Sequence, residues 1–133
     1  MKTAEMISSS PAQTGVDPEL LARTIDALVA CAQACTACAD ACLSEDSVAE
    51  LRACIRSDLD CADVCETTAR VLSRQTAYDA DVTRAVLEAC IQMCRTCGNE
   101  CASHAEHHEH CRICADACRE CEQACSQLLA AIG

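Results

Sequence analysis

The chain has 133 residues, enough for one domain, and carries 21 acidic against 10 basic residues for a formal charge of −11. That balance excludes a nucleic-acid partner, which needs clustered Lys and Arg against phosphate. Sixteen residues are Cys, Tyr78 is the single aromatic, and Phe and Trp are absent, so sulfur and alanine must fill most of any interior. Small side chains at close packing require helices that approach closely or that enclose something else.

Residues 1–16 read as a flexible N-terminal arm rich in Ser, Thr, Pro and Gly, with room for a short turn of helix at Ala4 to Ile7. Asp17-Pro18 is a helix start: Asp caps, and Pro at the first position loses no hydrogen bond. The first long helix is predicted over 18–43, with Leu21, Leu28, Cys31, Cys35, Cys38 and Cys42 on one stripe. After a turn at 43–46, Ser47 and Glu50 suggest a capping box for a second helix over 48–73, carrying Leu51, Cys54, Asp58, Cys61, Cys65 and Leu72. Thr76 with Asp79 is a weaker cap for a third helix over 78–105, whose stripe is Leu87, Cys90, Cys94, Cys97 and Cys101. Gly98 inside it costs about 1 kcal/mol against Ala, so it marks either close helix contact or a tolerated residue. A turn at 106–109 leads to a fourth helix ending near 131, with Cys111, Cys114, Cys118, Cys121, Cys125, Leu128 and Ile132 in phase and Gly133 as its cap.

Short connections make successive helices antiparallel. The expected fold is therefore all-α, an up-down four-helix bundle over 17–133 with a Cys-lined core. It is built as a doubled helical hairpin. Cys31, Cys35, Cys38 and Cys42 recur 59 positions later, and Cys54, Cys61 and Cys65 recur 60 later as Cys114, Cys121 and Cys125; Asp58 stands where Cys118 is the counterpart.

Cysteine at this density in a short chain usually marks a secreted disulfide scaffold. The opening MKTAEMISSSPAQTG has no apolar run of signal-peptide length, and no run of 18 apolar residues follows. The expectation is a cytoplasmic protein without a membrane span, in a compartment where disulfides are uncommon. Burial as small hydrophobes accounts for one or two thiols, not sixteen in register.

Cysteines three and four apart on a helix have Cβ atoms roughly 5–6 Å apart, too far for a disulfide, which wants about 3.8 Å. A metal with bonds near 2.3 Å, the zinc–thiolate value, spans about 4.6 Å in a nearly linear S–M–S unit. Thiolates select Cu(I), zinc or iron–sulfur clusters. Zinc in a thiolate tube accumulates negative charge, whereas many Cu(I) ions sharing bridging sulfurs cancel it, which favours multiple Cu(I) ions. Iron–sulfur motifs lie in loops with other spacings, and a redox CxxC needs a helix start after a strand. A zinc or mixed soft-metal buffer and a structural or thiol-redox helical protein remain as alternatives. No catalytic constellation is evident, so the reading is binding, not an enzyme.

His104, His107, His108 and His110 cluster at the corner between the third and fourth helices, and His104 and His108 extend the cysteine stripe to the end of the bundle. Leu20, Leu21, Leu72, Leu87, Leu128 and Ile132 close the opposite end. This describes a sulfur tube with a histidine mouth and an apolar plug, in which imidazoles admit copper; for His107 and His110 a solvated turn is the simpler reading. Asp58 is a candidate ligand or a hydrogen-bond acceptor for a thiol. Met93, Met6 and Tyr78 read as packing or surface residues.

With its repeated C-x3-C-x2-C-x3-C and the C-x2-C-x3-C-x2-C-x3-C of the last helix, the chain resembles the bacterial copper storage proteins over residues 17–132. The resemblance implies Cu(I) bound by all sixteen cysteines, copper admitted at His104 and His108 with His110 contributing, a homotetramer of bundles, and exchange with a copper chaperone. The histidine-rich mouth and the missing export signal are similar to the cytosolic branch. Asp58 departs from an unbroken thiol pattern and leaves the stoichiometry of its layer open.

Overall fold

The computed structural model describes residues 1–132. Five helices follow one another: α1 (Thr3–Ser9), α2 (Pro18–Leu43), α3 (Arg52–Ser73), α4 (Ala80–Ala102) and α5 (Glu109–Ala131), with a 3-10 turn, Val48–Leu51, leading into α3. The four long helices form the bundle. α2 packs on α3 and α5, and α4 on the same two, so sequence neighbours are antiparallel and α2 faces α4 across the axis.

The caps explain where the helices begin. Asp17 accepts from the backbone N–H of Glu19 at 3.0 Å and of Leu20 at 3.4 Å, with Pro18 behind it. Asp79, not Thr76, caps α4, accepting from Asp81 and Val82 at 2.9 and 3.2 Å. The Ser47 capping box does not form: the Ser47 side chain makes no cap bond, its carbonyl accepts from Glu50 N–H at 2.9 Å, and that closes the 3-10 turn before α3. α4 ends at Ala102, three residues before the expected 105, because the backbone from Ser103 to His108 closes tight turns on Asn99, Cys101, Ala102 and His104. The expected cap at Gly133 lies outside the described residues.

The N-terminal stretch carries a helix of seven residues, two turns rather than one. Ile7 packs against the edge of the core, and Thr3 Oγ1 donates to Asp26 Oδ1 at 2.6 Å. A surface groove of about 870 Å³ between α1, α2 and α3 is lined by Met1, Met6, Ile7 and Val29, among others, and by no thiol.

The core follows the predicted stripes. All sixteen cysteines are buried, none above 2% exposed. Leu21, Leu28, Leu72, Leu87 and Leu128 close the end opposite the histidines, with Leu20 and Ile132 packed partly buried against them. A cavity of about 10 Å³ there, bounded by Leu21, Leu72, Tyr78, Thr83, Leu128 and Ile132 among others, is at most marginal for one water. Thr24 adds a hydroxyl that is satisfied locally, donating to Leu20 O at 2.8 Å. A Cβ on Gly98 would lie 3.3 Å from Cys118 Cβ, so this glycine marks a close approach of α4 to α5. By length and composition α2 qualifies as a membrane span, with a mean hydropathy of 1.3 over 18 residues, but its apolar stripe is used in the bundle core.

Candidate metal centre

Helical phase brings the thiols of all four walls to one axis. Along single helices, Sγ–Sγ distances are 3.9 Å for Cys31 and Cys35, 3.8 Å for Cys61 and Cys65, and 4.0 Å for both Cys90 and Cys94 and Cys97 and Cys101. Across helices they are as short: 3.6 Å for Cys54 and Cys101, for Cys65 and Cys94, and for Cys35 and Cys114. These are contacts between free thiols, far from the roughly 2.05 Å of a disulfide.

Successive layers emerge along the axis. Near the histidines, Cys38, Cys42, Cys54 and Cys111 place their sulfurs within 4.8 Å of one another, and in the middle Cys35, Cys97, Cys114 and Cys118 do the same. Deeper in, Cys31, Cys65, Cys94 and Cys121 contribute one sulfur from each of the four long helices. Layers share members, since Cys31 and Cys35 also group with Cys61 and Cys118. The array is continuous, not a row of separate four-ligand sites.

Asp58 is fully buried within it. Its Oδ1 accepts from the thiols of Cys97, Cys101 and Cys114 at 3.1, 3.2 and 3.2 Å, and it groups with Cys38, Cys54 and Cys101. Burial is the main cause that pushes its carboxyl up to about 12, which favours the neutral acid at pH 7. Burial and the charge of Cys38 likewise push Cys42 and Cys111 upward.

At the mouth the histidines divide by partner. His110 Nδ1 lies 3.4 Å from Cys38 Sγ and 3.6 Å from Cys111 Sγ, making it the imidazole that touches the thiols. Its Nε2 lies 3.0 Å from Glu45 Oε2, and His108 Nδ1 lies 2.5 Å from the same oxygen. The two rings stack with centroids 5.5 Å apart. His104 Nε2 lies 3.3 Å from Glu100 Oε1. His104 and His108 stand on the turn after α4 rather than on a continued helical stripe, and His107 is exposed. Hydrogen bonding from His110, and then from His108, holds Glu45 below the usual carboxylate range. Burial pushes His110 down, but Cys38 and Glu45 outweigh it and hold the ring above its usual range.

The family profile of the copper storage proteins matches residues 17–130. The chain belongs to the copper storage protein family. Its fold superimposes on a structure of the copper storage protein Ccsp from Streptomyces lividans loaded with 10 copper equivalents, with a TM-score of 0.96 and 62% identity over 97% of this chain and 98% of that one. A structure of copper loading to a cytosolic copper storage protein from Streptomyces lividans, with five coppers, is 67% identical over 90% of this chain and 100% of that one, with a TM-score of 0.88. The cysteine-rich protein YhjQ of Bacillus subtilis strain 168 is 36% identical over 106 residues, which is 80% of this chain and 93% of the relative.

A copper storage protein binds its cargo rather than transforming it, and this chain stores multiple Cu(I) ions through clusters of cysteine thiolates. The sulfur spacing refines how an ion fits. With metal–sulfur bonds near 2.3 Å, sulfurs 3.6–4.0 Å apart subtend roughly 100–120° at the metal. The nearly linear bridge expected from sequence is therefore not the resting geometry; it needs the sulfurs to part by about 0.6–1.0 Å. Two carboxylates at the mouth were not found from sequence. Glu100 is four residues before His104, a helical pairing that was readable; Glu45 is 63 and 65 positions from its partners, and no local signal points to it.

Proposed function

We propose that residues 17–133 form a cytosolic copper store in which Cys31, Cys35, Cys38, Cys42, Cys54, Cys61, Cys65, Cys90, Cys94, Cys97, Cys101, Cys111, Cys114, Cys118, Cys121 and Cys125 ligate Cu(I). Asp58 takes part in the layer it shares with Cys38, Cys54 and Cys101. The observation that carries this reading is the continuous array of sixteen buried free thiols. Soft sulfur selects Cu(I), and shared bridging sulfurs let many ions enter without accumulating charge. A cytosolic location agrees with the reduced thiols and with the cytosolic relative in Streptomyces. Anaerobic Cu(I) titration against a strong chelator tests the store. It should bind well over the four equivalents that sixteen thiols supply in unshared sets of four; a plateau at one to four overturns the reading.

His104, His108 and His110 form the intake. They occupy the end where four sulfurs, Cys38, Cys42, Cys54 and Cys111, begin the thiol column, and the other end is sealed by leucine. Replacing His104 and His108 together should slow both uptake and chelator removal in stopped-flow measurements while leaving saturation capacity nearly unchanged. A large loss of capacity would make them interior ligands instead. The assembly is a homotetramer that exchanges copper with a chaperone at this mouth. Exposed Leu43, Leu59, Val82 and Ile113 supply apolar surface for contacts between copies.

A further inference from the structure

Glu45 lies in the turn after α2, where its N–H bonds Cys42 O at 3.2 Å. The turn thereby places Glu45 three residues past the last cysteine of α2. The carboxylate reaches across to the start of α5 and meets two imidazoles through one oxygen. His108 is the N-cap residue of α5 yet makes no side-chain cap bond; its ring is committed to Glu45 instead.

An ionised carboxylate only accepts hydrogen bonds, so each nitrogen facing it must carry a proton. The nitrogens differ: Nδ1 on His108 and Nε2 on His110. His110 is held above its usual range; once it has released its second proton, as in mildly alkaline solution, the imidazole carries one proton, and the bond made by one nitrogen fixes the state of the other. His108 is then left with a bare Nε2, and His110 with a bare Nδ1 beside the sulfurs of Cys38 and Cys111. A carboxylate behind a metal-binding histidine commonly sets its tautomer and orientation. Here a single carboxylate does so for two rings, in opposite senses.

We propose that Glu45 is a positioning residue for copper uptake, holding His108 and His110 in opposite tautomers so that one bare nitrogen is offered by His108 and another, on His110, beside the first thiols. This rests on reading the histidines as the intake. A soft ion taken by His108 Nε2 then has a second imidazole nitrogen already turned toward Cys38 and Cys111, with no proton to lose from either ring. Glu45 itself ligates nothing in this scheme.

The test uses the full chain. In the apo protein at pH 8, long-range proton–nitrogen NMR should show His108 protonated on Nδ1, the tautomer a free histidine side chain disfavours, and His110 protonated on Nε2. Glu45→Ala should abolish the Nδ1–H form of His108 and slow binding of the first Cu(I) equivalents by roughly tenfold or more, with capacity and helical content unchanged. Glu45→Gln keeps an acceptor oxygen without the charge, and should retain both tautomers and most of the rate. The proposal is overturned if His108 keeps its tautomer in Glu45→Ala, if uptake by that variant matches the unsubstituted chain, if its capacity falls, or if Glu45→Gln is as slow as Glu45→Ala, which would assign the effect to charge attraction. The tautomers are read without copper, so their failure is separable from a failure of the store, which shows as low capacity in the unsubstituted chain.

Discussion

Leu128→Ala should destabilise the metal-free protein by about 2–5 kcal/mol, the range for truncating a buried leucine. Leu128 is fully buried at the closed end, where a handful of leucines supply most of the large apolar volume in a core otherwise built from thiols and alanines. Total stabilities of about 5–15 kcal/mol are ordinary for a domain, so one leucine is a sizeable share of what holds the empty bundle together. Urea unfolding under anaerobic reducing conditions checks this: the midpoint should fall with little change in slope. Copper loading should raise the stability of both proteins, because ligands that bind only the folded chain stabilise it by mass action, and should leave the difference between them largely unchanged. A loss below about 1 kcal/mol in the metal-free protein would mean that the thiol column, not the leucine cluster, carries the fold.

Asp58→Asn should make the metal-free protein more stable at pH 8 than the unsubstituted chain, by several kcal/mol on the linkage argument. The sign follows from the proton. Asp58 has an ordinary value of 3.8 and is pushed up to about 12 in the fold, so between those values the folded chain holds a proton that the unfolded chain has released. Stability from this group is greatest below pH 4 and declines by about 1 kcal/mol per pH unit as pH rises. Asparagine removes that slope, and the thiols of Cys97, Cys101 and Cys114 can still donate to its amide oxygen. The amide N–H groups must find acceptors, which offsets part of the gain. Comparing urea midpoints of the two proteins from pH 4 to 8 checks it; their difference should shrink toward pH 4. Parallel curves would show that the carboxyl does not titrate as a buried acid.

The bundle was legible in the sequence because each helix writes its inward face in one letter. Cysteine recurs at helical spacing on all four long helices, and Asp17-Pro18 states where the first begins. What failed were the ends. Ser47 and Glu50 have the identities of a capping box, but the backbone took that bond for a 3-10 turn, and identities alone do not decide between a side-chain and a main-chain acceptor. The same limit applied at the mouth. Extending the stripe through His104 and His108 assumed a helix that stops at Ala102, and it gave His110 the lesser role although His110 is the ring in contact with the sulfurs. Glu45 joins the corner from another connection of the fold, and only the antiparallel arrangement brings it there.

The sealed leucine end has a consequence for how the cargo turns over. A vessel with one opening fills from the far wall outward and empties in the reverse order, so the newest ions leave first and the oldest are retained longest. The chain would then behave as two reserves in one: a readily exchanged fraction under the imidazoles, and a slow deposit against the leucines.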